Sequence, residues 1–248
     1  MFDDLQGKVV VVTGGVTGIG GAASLAFAAS GARVLAQYLG GGAELAAIEK
    51  AGIATLKLDL TGEGAPQKLI DAAIAMFGRI DVLVNNAGSL VARIPATDLD
   101  DAFIDRVFDL NVRQLVHCCR IAAALMQKQG AGNIINVTSI AARNGASPGG
   151  SIYAGAKAFV SAFSKTLAKE LVGNGIRVNC VSPGTIHTSF HDRFSDEAKR
   201  EAARKTIPMQ RLGLAEDCAG TFLYLASDKA SGYVTGQVIE VNGGQLMP

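Results

Sequence analysis

Charge of either sign is nearly cancelled in this 248-residue chain: 23 Lys and Arg stand against 22 Asp and Glu, a net charge of +1. Such a balance leaves no overall field to recruit nucleic acid or an anionic membrane surface. Cysteine is scarce, and Cys118, Cys119, Cys180 and Cys218 show no metal-ligand spacing. The adjacent Cys118-Cys119 pair lies in an apolar helical stretch and reads as core packing. His117, His187 and His191 are not spaced as a metal site either, so no metal is expected. No apolar run is long enough to cross a bilayer. The first residues, Met1 to Gly7, carry no basic region followed by an apolar one, so a secretory signal is not expected and a reduced cytoplasm is the expected home. No Pro/Ser-rich linker, charge block or low-complexity tract divides residues 1–248, which are therefore expected to form one unit, with 49% hydrophobic residues to fill its core.

What is abundant is periodic. Apolar, strand-like runs recur at Val9–Val12, Arg33–Ala36, Thr55–Leu58, Val82–Asn85, Asn133–Val137, Arg177–Val181 and Gln237–Val241. Between them lie helix-period segments at Gly20–Ala29, Ala43–Lys50, Pro66–Phe77, Leu99–Lys128, Tyr153–Leu171 and Ala215–Ala226. Strands alternating with helices predict parallel βαβ units with right-handed crossovers, an α/β doubly wound sheet of about seven strands covered on both faces. Ligands of such sheets bind outside the strand C-terminal ends, at the switch point. The polar and glycine-rich segments of this chain directly follow strands, on that one edge.

The first is Thr13-Gly14-Gly15-Val16-Thr17-Gly18-Ile19-Gly20, after the β-branched run from Val9 and before an Ala-rich helix. Glycines let backbone approach a pyrophosphate, and a helix N-terminus supplies N–H donors and the positive end of its dipole. The spacing is Gly-x-x-x-Gly-x-Gly, not the commoner Gly-x-Gly-x-x-Gly. At the other end of the chain, Tyr153 and Lys157 stand four apart, on one face of a helix, with Ser139 fourteen residues upstream. A phenol is a poor base at neutral pH, and an ammonium beside it favours the phenolate, lowering its pKa. A serine hydroxyl delivered from a strand end can bond the same substrate oxygen.

Together with Asp59-Leu60, Asn85-Asn86-Ala87-Gly88, Asn111 and Pro183-Gly184, these segments resemble the short-chain dehydrogenase/reductase family, in order and interval, over essentially the whole chain. The resemblance implies a Rossmann-like fold, a nicotinamide cofactor and hydride transfer between nicotinamide and a carbonyl carbon. It implies a catalytic set of Asn111, Ser139, Tyr153 and Lys157: Tyr153 moves the proton, Ser139 polarises the carbonyl, Lys157 lowers the Tyr153 pKa and binds the nicotinamide ribose, and Asn111 holds a helix distortion and a water leading to Lys157. It also implies cofactor contacts from Gly14, Thr17, Gly18, Ile19, Gly20, Tyr38, Asp59, Leu60, Asn86, Ala87 and Gly88. Further contacts come from Tyr153, Lys157, Pro183, Gly184, Ile186 and Thr188. Asp59 would bond the adenine amino group, and the loop from Pro183 to Thr188 would take the nicotinamide carboxamide.

Where an NAD-binding chain usually has a carboxylate after the second strand, this one has Tyr38. The group that would repel a 2′-phosphate is missing, and backbone N–H groups at Gly40–Gly42 with the Tyr38 hydroxyl could hold one. NADP(H) is expected over NAD(H), although no Arg or Lys stands at Thr17 or Leu39. Residues 188–212 are expected to form a lid whose charges mostly line a solvated helix face. Arg143, Asn144 and His191, beside Ser139 and Tyr153, are the substrate-binding candidates, and a basic, polar entrance suits a carboxylate-bearing keto compound. The segments from Ser182 to His191 and from Ser231 to Gln237 are similar to bacterial keto-deoxy sugar acid reductases, and also to 3-oxoacyl-carrier-protein reductases. A non-catalytic nucleotide-sensing scaffold is the reading from another class. Surplus apolar residues on the two long helical segments, including Phe103, Val107, Leu115, Val116, Phe159 and Phe163, predict a homotetramer.

Overall fold

Seven of the strand-like runs pair into one parallel sheet in the computed structural model, which describes residues 2–41, 43–188 and 197–248. In chain order they are β1 (Val9–Thr13), β2 (Arg33–Tyr38), β3 (Ala54–Lys57), β4 (Val82–Asn85), β5 (Gly132–Val137), β6 (Ile176–Pro183) and, last, β9 (Val238–Val241), a two-residue pair (β7, Ile186–His187; β8, Gly213–Leu214) standing apart. The sheet order is β3-β2-β1-β4-β5-β6-β9. Val10 pairs with Val34 on one side and Val82 on the other, so the order reverses between β1 and β4. This is the expected doubly wound sheet with a switch point at the end of β1.

Side chains alternate across a pleated strand, which is why the strands read as continuous apolar runs. Val10, Val12, Val34, Ala36, Val82, Val84, Ile135 and Val137 face one layer, packed on Ala23 and Phe27 of α1 (Gly18–Ala29) and on Phe222 and Leu225 of the helix Ala215–Ala226. Val11, Leu35, Leu83 and Ile134 face the other. There they meet α3 (Ala65–Phe77) through Leu69 and Ala73, α5 (Gln114–Gln129) through Leu115 and Ala122, and α7 (Ser151–Leu171) through Val160 and Ala168. Cys118 and Cys119 are fully buried in this second layer, as their apolar neighbourhood predicts.

The segment Leu99–Lys128 is not one helix. It divides into α4 (Asp101–Phe108), a π-helical turn (Asp109–Arg113) and α5. The cause is side-chain competition for the helix ladder. Asn111 Nδ2 donates to Val107 O at 2.8 Å and Gln114 Nε2 to Leu110 O at 3.1 Å, each four residues back. Three of the apolar residues credited to a surplus on these helices are also accounted for within the chain: Phe103, Val107 and Leu115 are buried. Phe159 remains 42% exposed, stacked on Phe163 with centroids 5.8 Å apart.

Candidate active site

A cleft of about 970 Å³ runs along the C-terminal ends of the strands, lined at one end by Gly14, Thr17, Gly18, Ile19, Tyr38, Asp59 and Leu60 and at the other by Ser139, Asn144 and Tyr153. Asn86, Ala87, Gly88, Lys157, Pro183, Gly184, Ile186 and Thr188 also line it. Residues scattered from 14 to 188 therefore share one wall, because every loop involved leaves a strand on the same edge of the sheet.

The glycine turn is shaped by close approach. Gly14 and Gly18 have φ of +59° and +53°, where a side chain is strained. Gly20 does not line the cleft: a Cβ there would collide with Gly14 O, so this glycine lets α1 pack against the turn. Thr17 precedes α1 and makes no side-chain cap, so the first-turn N–H groups of the helix keep their hydrogen-bonding capacity at the cleft. Asn86 ties the turn to β4 by donating from Nδ2 to Thr13 O (3.0 Å) and Gly14 O (3.1 Å). Two residues absent from the sequence-based set complete the frame. Thr13 Oγ1 accepts from the backbone of Asn86 and Ala87. Gln37, buried at the end of β2, accepts from Gly14 N at 2.9 Å and donates to Leu58 O at 2.5 Å. Both are polar residues closing apolar strands, a pattern visible in the sequence.

Asp59 lies beyond the end of β3, exposed, with Oδ1 accepting from the Thr61 backbone (2.9 Å) and hydroxyl (2.7 Å). The turn role weighed for it is present, and the residue faces the cleft as well. Gly40 lines the cleft, whereas Gly42, the last of the Gly40–Gly42 run, lies outside the described residues, as do His191 and the 189–196 part of the expected lid.

At the other end, Ser139 and Tyr153 are joined by a side-chain hydrogen bond. Lys157, 3% exposed, donates to Val137 O at 2.9 Å and lies 5.8 Å from the centre of the Tyr153 ring. Thr138 Oγ1 donates to the Lys157 carbonyl at 2.8 Å, so α7 is pinned to the end of β5 where the lysine sits. Desolvation dominates the titration of both groups. Burial pushes the Tyr153 phenol up to about 12, against the Ser139 hydrogen bond, and pulls Lys157 down to about 8. The expected direction for Tyr153 is thus reversed in the polypeptide by itself, because the cost of burying a phenolate outweighs the help of the Ser139 hydrogen bond.

Asn111, fully buried, does not reach the cleft. It sits in the π turn, accepts from Ser89 N (3.1 Å) and donates to Ser89 O (2.8 Å). A Cβ on Gly88 would stand 2.7 Å from Asn111 Oδ1 and 3.1 Å from Lys157 Nζ, so both groups converge on this one glycine. Arg143 is not among the residues that line the cleft: it pairs with Glu240 of β9, Nε to Oε1 3.2 Å, because a largely buried carboxylate there offers a partner. Four of the lid cations are paired too, Arg200 with Glu197, Arg204 and Lys205 with Glu201, and Arg211 with Asp217. Besides Lys157, the cations lining the cleft are Arg93 and Arg106, neither of them a candidate from the sequence.

Comparison with known proteins decides the family. A family model described as enoyl-(acyl carrier protein) reductase matches residues 14–245. The chain belongs to the short-chain dehydrogenase/reductase family. It is 38% identical to a 3-oxoacyl-[acyl-carrier-protein] reductase of Synechocystis, with 98% of each chain covered. It is also 38% identical to 3beta-hydroxysteroid dehydrogenase 1 of Eggerthella lenta, covering 100% of this chain and 97% of that one. Among solved structures, the NADH-dependent reductase A1-R′ responsible for alginate metabolism superposes with a TM-score of 0.89 at 35% identity, over 99% of this chain and 100% of that one. The same reductase complexed with NAD gives 0.87 at 36%, over 100% of both chains. As a family member with the family's fold, this short-chain dehydrogenase/reductase is a nicotinamide-dependent oxidoreductase.

Proposed function

We propose that this enzyme reduces the carbonyl of a small polar ketone, a keto-deoxy sugar acid being the class that fits best, with the glycine turn holding the cofactor and Tyr153 supplying the proton. The observation that carries the reading is the convergence of Ser139, Tyr153 and Lys157 at the base of the same cleft that the glycine turn lines. The Gly14–Gly20 turn and the uncapped start of α1 fit a dinucleotide pyrophosphate. The nicotinamide, when bound, supplies the hydride. Tyr153 keeps its proton at neutral pH and is placed as an acid toward a carbonyl oxygen, which Ser139 also bonds. Lys157, buried with a lowered pKa, holds a positive charge next to the phenol ring and steadies the oxygen as it gains charge. Asn111 supports both by fixing Ser89 and the π turn beside Gly88.

The polar lining from Ser89, Asn144, Ser147 and Gln245 favours a hydroxylated substrate over a steroid. A 3-oxoacyl thioester is the second reading, favoured by the 3-oxoacyl-carrier-protein reductases among the relatives. Gln37 is committed to Gly14 and Leu58, so Tyr38 alone stands where a carboxylate would read the ribose hydroxyls, and NADPH is the proposed preference. Residues 1–248 are proposed to act as a single unit and to assemble as a homotetramer through Val116, Phe159 and Phe163. The test is a panel of keto-deoxy sugar acids, 3-oxoacyl thioesters and steroid ketones with NADH and with NADPH. Turnover of a sugar acid supports the reading. No turnover above a Tyr153→Phe blank, with nucleotide still bound, overturns it in favour of a nucleotide-sensing scaffold.

A further inference from the structure

We propose that Arg93 and Arg106 form an anion-recognising pair at the Tyr153 end of the cleft, which selects ketones that carry a carboxylate or phosphate. The proposal deepens the reading above and rests on it for the identity of the reaction. Five charged side chains line the cleft. Asp59 is at the glycine-turn end and Lys157 is buried at the base. The other three are Arg93, Arg106 and Asp109, and the acid is already engaged: Arg113 takes both Asp109 and Asp105. Among the described residues Arg106 has no carboxylate partner, and its guanidinium lies 5.8 Å from the Phe103 ring. Phe103 packs in the small apolar cluster that also holds Val91, Ile94 and Tyr153, which brings Arg106 to the loop that bears Arg93.

That loop is held in a set shape. Val91 has φ of +66°, a region a β-branched residue rarely enters. Its N–H donates to Ser89 Oγ at 3.1 Å, and Ile94 N donates to Gly149 O at 3.0 Å. Arg93 Nη1 lies 3.4 Å from the carbonyl oxygens of Ser147 and Pro148, so its guanidinium leans on the facing cleft wall. Backbone strain that the surroundings enforce is a mark of functional loops. Two guanidinium groups line this end of the cleft, and Asp109, the acid that lines it beside them, is held by a third arginine. Positive charge therefore faces the place where a substrate tail would lie, and the planar fork suits carboxylate or phosphate oxygens. A cofactor phosphate is not the target, since the glycine turn and Tyr38 are at the other end.

Matched probes that differ in one anionic group test it: 4-oxopentanoate against its methyl ester, and acetoacetyl-4′-phosphopantetheine against acetoacetyl-pantetheine. The wild type should prefer the charged member of a pair in kcat/KM. Arg93→Gln or Arg106→Gln should lower that charged-to-neutral ratio at least tenfold, and Arg93→Lys should restore part of it. Loss in the first pair identifies a substrate carboxylate, and loss in the second a carrier phosphate. A folding defect would lower both members of a pair together and leave the ratio unmoved. Malonate, which has no ketone, gives a readout independent of turnover: it should raise the Tm of the wild type and not of Arg93→Gln. If no ketone turns over but malonate binding needs Arg93, the proposed reaction fails while the anion pair stands. If the ratios and the malonate shift are the same in wild type and both glutamine variants, the pair is refuted.

Discussion

The two ends of the cleft are built differently. At the glycine-turn end, side chains from separate strands bond backbone atoms of their neighbours: Thr13 holds Asn86 and Ala87, Asn86 holds Thr13 and Gly14, and Gln37 holds Gly14 and Leu58. Such cross-strand bonds fix a frame that one ligand class can fit in one way. At the Tyr153 end, the walls are the 89–94 and 145–150 loops, joined by the Ile94–Gly149 backbone bond and by Arg93, with a strained Val91 in the first of them. Loops on a rigid scaffold can vary without disturbing the sheet. The contrast fits relatives with acyl, steroid and alginate-related names that share one fold with this chain: under the proposed function, the frame holds the cofactor and the loops choose the substrate.

The sharpest way to separate the ends is to remove chemistry without touching the frame. Tyr153→Phe should cut kcat by roughly 10²- to 10⁴-fold, the range general acid catalysis supplies, while cofactor affinity stays within about twofold by titration. A comparable loss of cofactor affinity would mean that the two ends are not separable. Next in size is pH. Lys157 has a pKa lowered to about 8, so it is charged below that value and neutral above, whereas Tyr153, near 12, stays protonated throughout. The kcat for reduction should therefore fall as pH rises through about 8, and a Lys157→Met variant should be slow with that limb gone. A profile flat from pH 6 to 10 in the wild type would remove the lysine's electrostatic role.

Smaller effects probe the frame itself. Tyr38→Asp should swing the NADPH-to-NADH affinity ratio by about tenfold toward NADH, a charge–charge effect of roughly 1.4 kcal/mol. A wild type that already prefers NADH would show that Tyr38 does not set the choice. Gln37→Leu deletes the bond to Gly14 N and should weaken cofactor binding about fivefold, as one net hydrogen bond of ~1 kcal/mol allows. Its kcat at saturating cofactor should barely move, and the Gln37→Glu variant, which keeps the acceptor, should recover part of the affinity. Should kcat fall instead with affinity intact, Gln37 would be serving the reacting end.

How much was legible follows the same division. The strand-like runs matched the sheet to within a residue or two at most ends, because residues buried on both faces leave an uninterrupted apolar signal. Leu99–Lys128 misled since Asn111 and Gln114 look like ordinary polar helix positions, and only their i−4 bonds reveal the π turn. Arg143 was placed by its nearness to Ser139 in the chain, but Glu240, almost a hundred residues on, claims it. Arg93 was passed over because nothing in a loop sequence tells which way its long side chain runs.

By itself, the order of residues determined the doubly wound sheet, the glycine turn and the spacing of Tyr153 and Lys157, since each depends on local periodicity or on neighbours four apart. Tertiary structure decided what depends on residues meeting across the chain. It set the titration of Tyr153 and Lys157, which burial governs, and the clasp of Gln37 on Gly14. It also decided which arginines line the cleft, Arg93 and Arg106 rather than Arg143. Desolvation and ion pairing act through space, and no spacing along the chain encodes them.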